Sequence, residues 1–189
     1  MTNKALIAMS GGVDSSVAAF LTKDMGYDAT GITLKLFDNE DIGEKREKTC
    51  CSLDDIDDAR RVCLKLGIPY YVYNFKDSFK ENVIDRFIRA YENGTTPNPC
   101  IDCNRFIKFE KLIRRAEELD FDCVVTGHYS TIEYDKGADR YLLKKSVDST
   151  KDQSYVLYCL TQRQLAKTLL PLGTYTCLLY TSPSPRDCS

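Results

Sequence analysis

The sequence predicts an α/β fold: an open parallel sheet with helices on both faces, followed by the start of a further small helical and hairpin region. Three observations carry that expectation. Short runs of β-branched and apolar residues alternate with stretches of helical period, the order that builds parallel strands joined by right-handed crossovers. The first apolar run ends in Ser10-Gly11-Gly12-Val13-Asp14-Ser15, a glycine-rich turn that opens onto a helix. Polar turns after the first, second and fourth expected strands then fall on one rim, beyond the carboxyl ends of the strands, where open α/β sheets bind ligands.

The first strand, Lys4 to Met9, leads through that turn into a helix of roughly Ser15 to Met25, closed by Gly26. Ala29 to Phe37 is β-branched and apolar enough for a second strand, and the charged, aperiodic stretch Asp38 to Thr49 reads as a surface loop. Ser52 and Asp55 form a capping box with Asp in the Glu place. Ile56, Ala59, Cys63 and Leu66 follow at helical spacing, and Gly67 ends that helix before Pro69. Ile68 to Tyr73 makes a third strand. A third helix, about Ser78 to Asn93, places Phe79, Val83, Phe87 and Tyr91 on one face. Gly94 to Pro99 carries two prolines and a glycine and must be loop. The next helix is expected from about Asn104, with Ile107, Leu112, Ala116 and Leu119 on its buried side. Asp122 to Thr126 is the fourth strand, ending in Gly127-His128-Tyr129. Thr131 to Tyr134 and Arg140 to Ser146 flank a turn and read as a hairpin, and two short helical pieces end at Pro171-Leu172-Gly173.

A chain of 189 residues can bury a substantial core. Its 43% hydrophobic and 29% charged residues are those of a soluble globular protein, and no apolar run approaches the ~20 residues of a membrane span. Met-Thr-Asn-Lys leads straight into the first strand, which leaves no room for a signal peptide. Nine cysteines, an odd number, suit reduced thiols in a cytoplasm better than a disulfide framework. A net charge of -2 argues weakly against nucleic acid and leaves only local basic clusters as an electrostatic opening. Such a face is offered by Arg105, Lys108, Lys111, Arg114 and Arg115, unless it is simply a solvated helix surface. The expected organisation is an α/β domain over 1–146, the start of a second region over 147–175, and a tail over 176–189. That tail has no helical or strand period and two Ser-Pro steps, and it resembles one reading frame of a transposase sequencing adapter. It is expected to be non-native, with the gene continuing past about Thr174 and Cys177 and Cys188 outside any functional argument.

The chemistry lies in the turns. A strand, a glycine-rich turn and a helix aim backbone N–H groups and a helix dipole at a phosphate. Gly11 and Gly12 allow close approach of a ligand, Ser10, Ser15 and Ser16 add hydroxyls, and Asp14 is placed to hold a metal or orient a group. No Walker lysine follows, so this is a different phosphate loop; a merely structural polar turn with a Ser cap is the bland alternative. Cys100-Ile101-Asp102-Cys103 stands before a helix, where Cys103 could be ionised near neutral pH and act as a nucleophile. With Cys50 and Cys51 the pair could instead hold zinc or an iron–sulfur cluster, or form a redox dithiol. Cys63 and Cys123 sit on apolar faces and read as buried, inert side chains. His128, the single histidine, is either a satisfied structural residue or a contact on the ligand rim.

The stretches Ala8–Ser16 (AMSGGVDSS), Asp58–Phe75, Asn93–Phe109 (NGTTPNPCIDCNRFIKF), Thr126–Tyr129 (TGHY) and Lys151–Leu165 (KDQSYVLYCLTQRQL) resemble the bacterial tRNA-uridine 2-sulfurtransferases, the 2-thiouridylases that thiolate wobble uridine. The resemblance covers nearly all of residues 4–173, its N-terminal part only, and implies an adenine nucleotide α-hydrolase-like fold with an ATP-pyrophosphatase loop. It implies that ATP binds Ala8, Met9, Ser10, Gly11, Gly12, Val13, Asp14 and Ser15 together with Leu34 and Gly127, with Asp14 assisting through Mg2+ or proton handling. The uridine C2 oxygen would be adenylated with loss of pyrophosphate, and sulfur from a cysteine persulfide would then displace AMP. Cys103 matches the family's nucleophile; Asn98, Pro99 and Cys100 match the target-base contact; His128, Lys151, Asp152 and Gln153 match tRNA contacts. Implied partners are tRNA and a sulfur-carrier protein or persulfide donor, with no membrane, in the cytoplasm; a disulfide bond is implied as well. Many members have Asp where Cys100 stands here, and the persulfide-carrying cysteine is expected beyond Gly173, so this chain as written should bind ATP and could adenylate, but should not complete sulfur transfer. Another adenylating ATP pyrophosphatase, or a nucleotide- or metal-binding module without turnover, are the competing readings.

Overall fold

A computed structural model describes residues 2–37 and 53–176. Five parallel strands form the sheet: β1 (Lys4–Ala8), β2 (Asp28–Lys35), β3 (Tyr70–Asn74), β4 (Cys123–Val125) and β5 (Thr168–Leu169). Their spatial order is β3-β2-β1-β4-β5, so the strand order turns back at β1, between β2 and β4. A separate antiparallel hairpin pairs β6 (Ser130–Asp135) with β7 (Arg140–Lys145).

The alternation of side chains along β1 divides the core. Ala5 and Ile7 point to one face, where they meet Ala18 and Ala19 of α1 (Val13–Asp24) and Ala59 and Cys63 of α2 (Leu53–Leu66). Leu6 points to the other face and packs with Ile32 and Val124 under two longer helices. These are α3, residues 76–92, which brings Val83, and α4, residues 99–118, which brings Ile107, Phe109, Leu112 and Ala116. Helices therefore cover both faces, as the alternating pattern requires. Small residues on α1 let it lie close to the sheet, and Gly31 of β2 lies directly under the Cys63 thiol, where no side chain would fit. Burial pushes that thiol, and that of Cys123, up to about 11, which keeps both protonated and inert.

The structure changes several expectations. Asn98 caps α4, accepting from the Cys100 N–H at 3.0 Å, and Pro99 takes the first helical position. The helix thus begins five residues before Asn104, and the C-x-x-C lies inside its first turns rather than ahead of it. Both long helices contain a π segment, Lys80–Ile84 in α3 and Cys103–Lys111 in α4, which the apolar spacing does not reveal. β5 completes the main sheet, and Leu157 and Leu172 are fully buried, one on each side of it. A two-residue strand carries no period, which is why it read as helical punctuation. The loop 38–49, the Ser52 cap, Cys50, Cys51 and the tail beyond Thr176 lie outside the described residues. No described helix is long and apolar enough to cross a membrane.

Candidate nucleotide-binding site

The turn Met9–Ser16 occupies the point where the strand order reverses. Met9 is tied to β2, its N–H donating to the Ile32 carbonyl at 2.8 Å and its carbonyl accepting from Thr33 Oγ1 at 3.0 Å. Gly11 adopts φ +77°, a left-handed conformation, and lies against the first turn of α2, where a Cβ would sit 2.6 Å from the Asp55 carbonyl oxygen. Gly12 is the N-cap of α1 and supplies no side chain to its first-turn N–H groups. The serines do not supply one either. Ser15 and Ser16 both donate to the Gly12 carbonyl, at 3.0 and 2.9 Å, and Ser15 Oγ accepts from the N–H and hydroxyl of Ser10. The hydroxyls brace the turn while the helix N-terminus stays uncapped. That is the arrangement that receives an anion.

The turn after β4 closes one side. A Cβ on Gly127 would lie 2.9 Å from the backbone carbon of Asp14 and 2.9 Å from the N of Ser15, so backbone meets backbone there. Tyr129 donates its hydroxyl to Asp14 Oδ1 at 2.8 Å, fixing the carboxylate at the mouth of the turn. Tyr129 is itself clamped: its N–H donates to Gln153 Oε1 at 2.9 Å, and its carbonyl accepts the Gln153 N–H at 2.9 Å. Asp152 accepts from the N–H groups of Ser146 and Ser154 and from the Ser154 hydroxyl at 2.7 Å. Burial opposes its ionisation, but these donors outweigh burial and hold its carboxyl below the usual range. Asp152 and Gln153 therefore knit the segment 146–154 to the site turn, and Lys151 stands beside them, half-buried.

His128 is buried, with Nδ1 2.8 Å from Thr126 Oγ1 and its ring 6.0 Å from that of Phe109. Burial, with a smaller contribution from Lys108, lowers its pKa to about 3, so the ring is neutral at physiological pH. The Leu34 side chain is buried in the core under α3 and α4, which leaves its backbone as the part available at the end of β2.

The cysteine turn is reached from the other side of the sheet. The helix α4 ends just ahead of β4, so its N-terminus, with Asn98, Pro99 and Cys100, lies toward the same carboxyl rim. Cys100 is exposed; Cys103 is half-buried against the apolar layer. Asn104 beside it is almost fully buried, and its Oδ1 has no hydrogen-bond partner. Cys159, near enough to Asp102 and Arg105 to feel both charges, joins this neighbourhood unforeseen. Among the described residues all five cysteines are free thiols, and no three His, Cys, Asp or Glu side chains converge as metal ligands. Of the basic side chains on α4, Arg114 and Arg115 pair with Glu118 and Lys111 donates to Ser78. Most of that face is thus internally engaged. Tyr129, which orients Asp14, was missed in the sequence; its only signal was its place two residues after Gly127.

Residues 3–178 match the tRNA methyl transferase HUP domain family. The chain is 56% identical over 175 residues to the tRNA-specific 2-thiouridylase MnmA of Clostridium beijerinckii, covering 93% of this chain and 48% of that protein. It is 57% identical, with the same coverage, to the protein of that name from Clostridioides difficile. The chain thus spans about half the length of the curated relatives it matches. Among solved structures, a predicted subunit of a tRNA methyltransferase from Methanocaldococcus jannaschii superposes with a TM-score of 0.48 at 15% identity, over 91% of this chain and 68% of that one.

Proposed function

Because the chain belongs to the tRNA methyl transferase HUP domain family, we propose that it is the ATP-binding, adenylating part of an enzyme that 2-thiolates a tRNA wobble uridine. One observation carries the nucleotide assignment: an uncapped helix N-terminus at the strand-order reversal, pressed from both sides by glycines where a side chain cannot stand. The cradle fits the phosphates of ATP. Bound there, ATP supplies the adenylyl group that makes the uridine C2 oxygen displaceable, with pyrophosphate leaving first and AMP leaving when sulfur attacks.

The chain's own residues then have distinct tasks. Backbone N–H groups of Gly11 to Ser15 hold the phosphates and stabilise charge that develops as pyrophosphate separates. Asp14, oriented by Tyr129, is a carboxylate at the mouth and would hold Mg2+, with further ligands from phosphate and water. Asn98, Pro99 and Cys100 present the uridine, and Cys103 is the nucleophile or sulfur acceptor one helical turn further in. His128, buried and neutral, supports the rim through its neighbours, and any tRNA contact it makes passes through that rim. The tRNA, the persulfide donor and the sulfur-transfer step belong to the protein at the length of its relatives. Among the described residues the two cysteines of α4 bring no third metal-ligating donor.

The experiment is direct. Equilibrium binding of radiolabelled ATP to the chain should saturate at one site and be lost on Gly11→Val. The full-length protein should release pyrophosphate only with tRNA carrying an unmodified wobble uridine. A chain that ignores ATP at millimolar concentration, or pyrophosphate release with any RNA, would overturn the assignment.

A further inference from the structure

A cavity of about 440 Å³ opens between α3 and the loop that leads into α4. Its wall carries two arginines one turn apart on α3, Arg86 and Arg89, and its other side carries Asn98 and Asp102. Pro97 and Ile101 supply apolar surface. Arg86 is held in place, its Nε 3.3 Å from Asp102 Oδ2 and its guanidinium 4.9 Å above the Phe106 ring. Arg89 is anchored through Nε alone, which donates to the Asp85 carbonyl at 3.1 Å, so its terminal nitrogens keep their donors. Asn98 spends its Oδ1 on the Cys100 N–H and keeps its amide N–H groups. The one carboxylate in the cavity is already balanced by Arg86. The surplus is a full positive charge on Arg89, beside unused amide donors, over an apolar floor.

From this we propose that the cavity binds a backbone phosphodiester of single-stranded RNA next to the nucleotide being modified, with Arg89 as its main ligand. The inference rests on the reading of Asn98, Pro99 and Cys100 as the segment that meets the target uridine. Arg89 offers the planar fork that matches two phosphate oxygens, and Arg86, pinned by Asp102 and Phe106, loses little further freedom when it joins. Pro97 and Ile101 fit the face of the neighbouring sugar or base, which a free phosphate would leave uncovered. Because Asn98 borders both the cavity and the first turn of α4, a phosphate held there sets the register of the chain by one nucleotide. The base then arrives at the cysteine turn from a fixed point.

The test uses a fluorescently labelled five-nucleotide RNA with a central uridine, measured by anisotropy against this chain across a range of salt. Wild type should bind, and Arg89→Gln should weaken binding about fivefold to tenfold. The slope of log affinity against log salt should fall by about 0.7, the value for one phosphate contact on a single strand. Arg61→Gln, an exposed arginine on α2 on the other face, should change neither. Replacing one phosphate beside the uridine with a neutral methylphosphonate should weaken wild type by a similar factor and leave Arg89→Gln unaffected. Equal salt slopes for wild type and Arg89→Gln, with RNA still bound, would overturn the phosphate site while leaving the uridine assignment standing. Wild type that binds ATP but no RNA would overturn both. If Arg89→Gln instead weakens ATP and spares RNA, the cavity serves a nucleotide phosphate and the proposal is wrong.

Discussion

At Gly127 an added methyl would lie 2.9 Å from backbone atoms of Asp14 and Ser15, none of which can swing aside as a side-chain tip can. Gly127→Ala should therefore push the two turns apart, weakening ATP at least tenfold by calorimetry. It should also cost about 1–3 kcal/mol of stability in urea unfolding, the range for overpacking a tight contact. Tyr129→Phe removes one hydroxyl and should leave ATP affinity within a few-fold while slowing pyrophosphate release in the full-length protein, because Asp14 loses its orientation. His128 sets a pH response. Its pKa is lowered to about 3 in the fold, whereas in the unfolded chain it takes up a proton near 6.5. The unfolded state therefore binds more protons between those values. Stability from this group is complete above pH 6.5 and falls by about 1.4 kcal/mol per unit as the pH drops toward 3. His128→Asn should flatten that slope in urea titrations between pH 4 and 7; an unchanged slope would place the response elsewhere.

Among the elements, the π segment of α4 has a partner that the sequence hid. Gln164 sits at the third position of α5 (Gln162–Ala166), in a capping box with Thr161. Its side-chain amide also reaches back 55 residues to donate to the Phe109 carbonyl at 2.8 Å. One side chain thus starts a short helix and binds a carbonyl in the π segment of the helix that carries Cys103. Gln164→Ala should cost about 1–2 kcal/mol, the loss of a cap together with a part-buried hydrogen bond, seen as a lower urea midpoint. The helices on the two faces were legible from their apolar spacing, since Leu112 and Ala116 or Ala59 and Cys63 recur at helical intervals. The start of α4 was not. Two prolines in Gly94–Pro99 argued for loop, but proline at the first helical position costs no hydrogen bond, and Asn98 supplied the cap.

The molecule as a whole depends on a strand of two residues. β5 covers the edge of β4, with Val124 opposite Thr168 and Val125 opposite Leu169, and the chain around it buries Leu157, Leu165, Leu170 and Leu172. Ending the chain after Ser146 would expose those apolar positions and leave β4 as an open edge. Such a fragment should lack a cooperative urea transition, while a chain ending after Thr176 should keep it. A folded 1–146 fragment would show that the later segment is an addition rather than part of the core.

The sequence by itself determined what is local or periodic. A strand, two glycines and a helix made a tight turn onto a helix N-terminus; alternating strands and helices made a parallel sheet; TPNPCIDCN and TGHY marked the family. Those signals are encoded in neighbouring residues and in the preferences of the backbone. Only the tertiary structure decided which turns meet. Tyr129 reaches Asp14 across 115 positions because β4 lies beside β1, and Gln153 holds Tyr129 because the chain returns after the hairpin. Likewise, Arg86 and Arg89 were ordinary charges on a helix until α3 packed beside the start of α4 and enclosed a cavity with Asn98. Such contacts depend on strand order and helix packing, and no local pattern of residues specifies either.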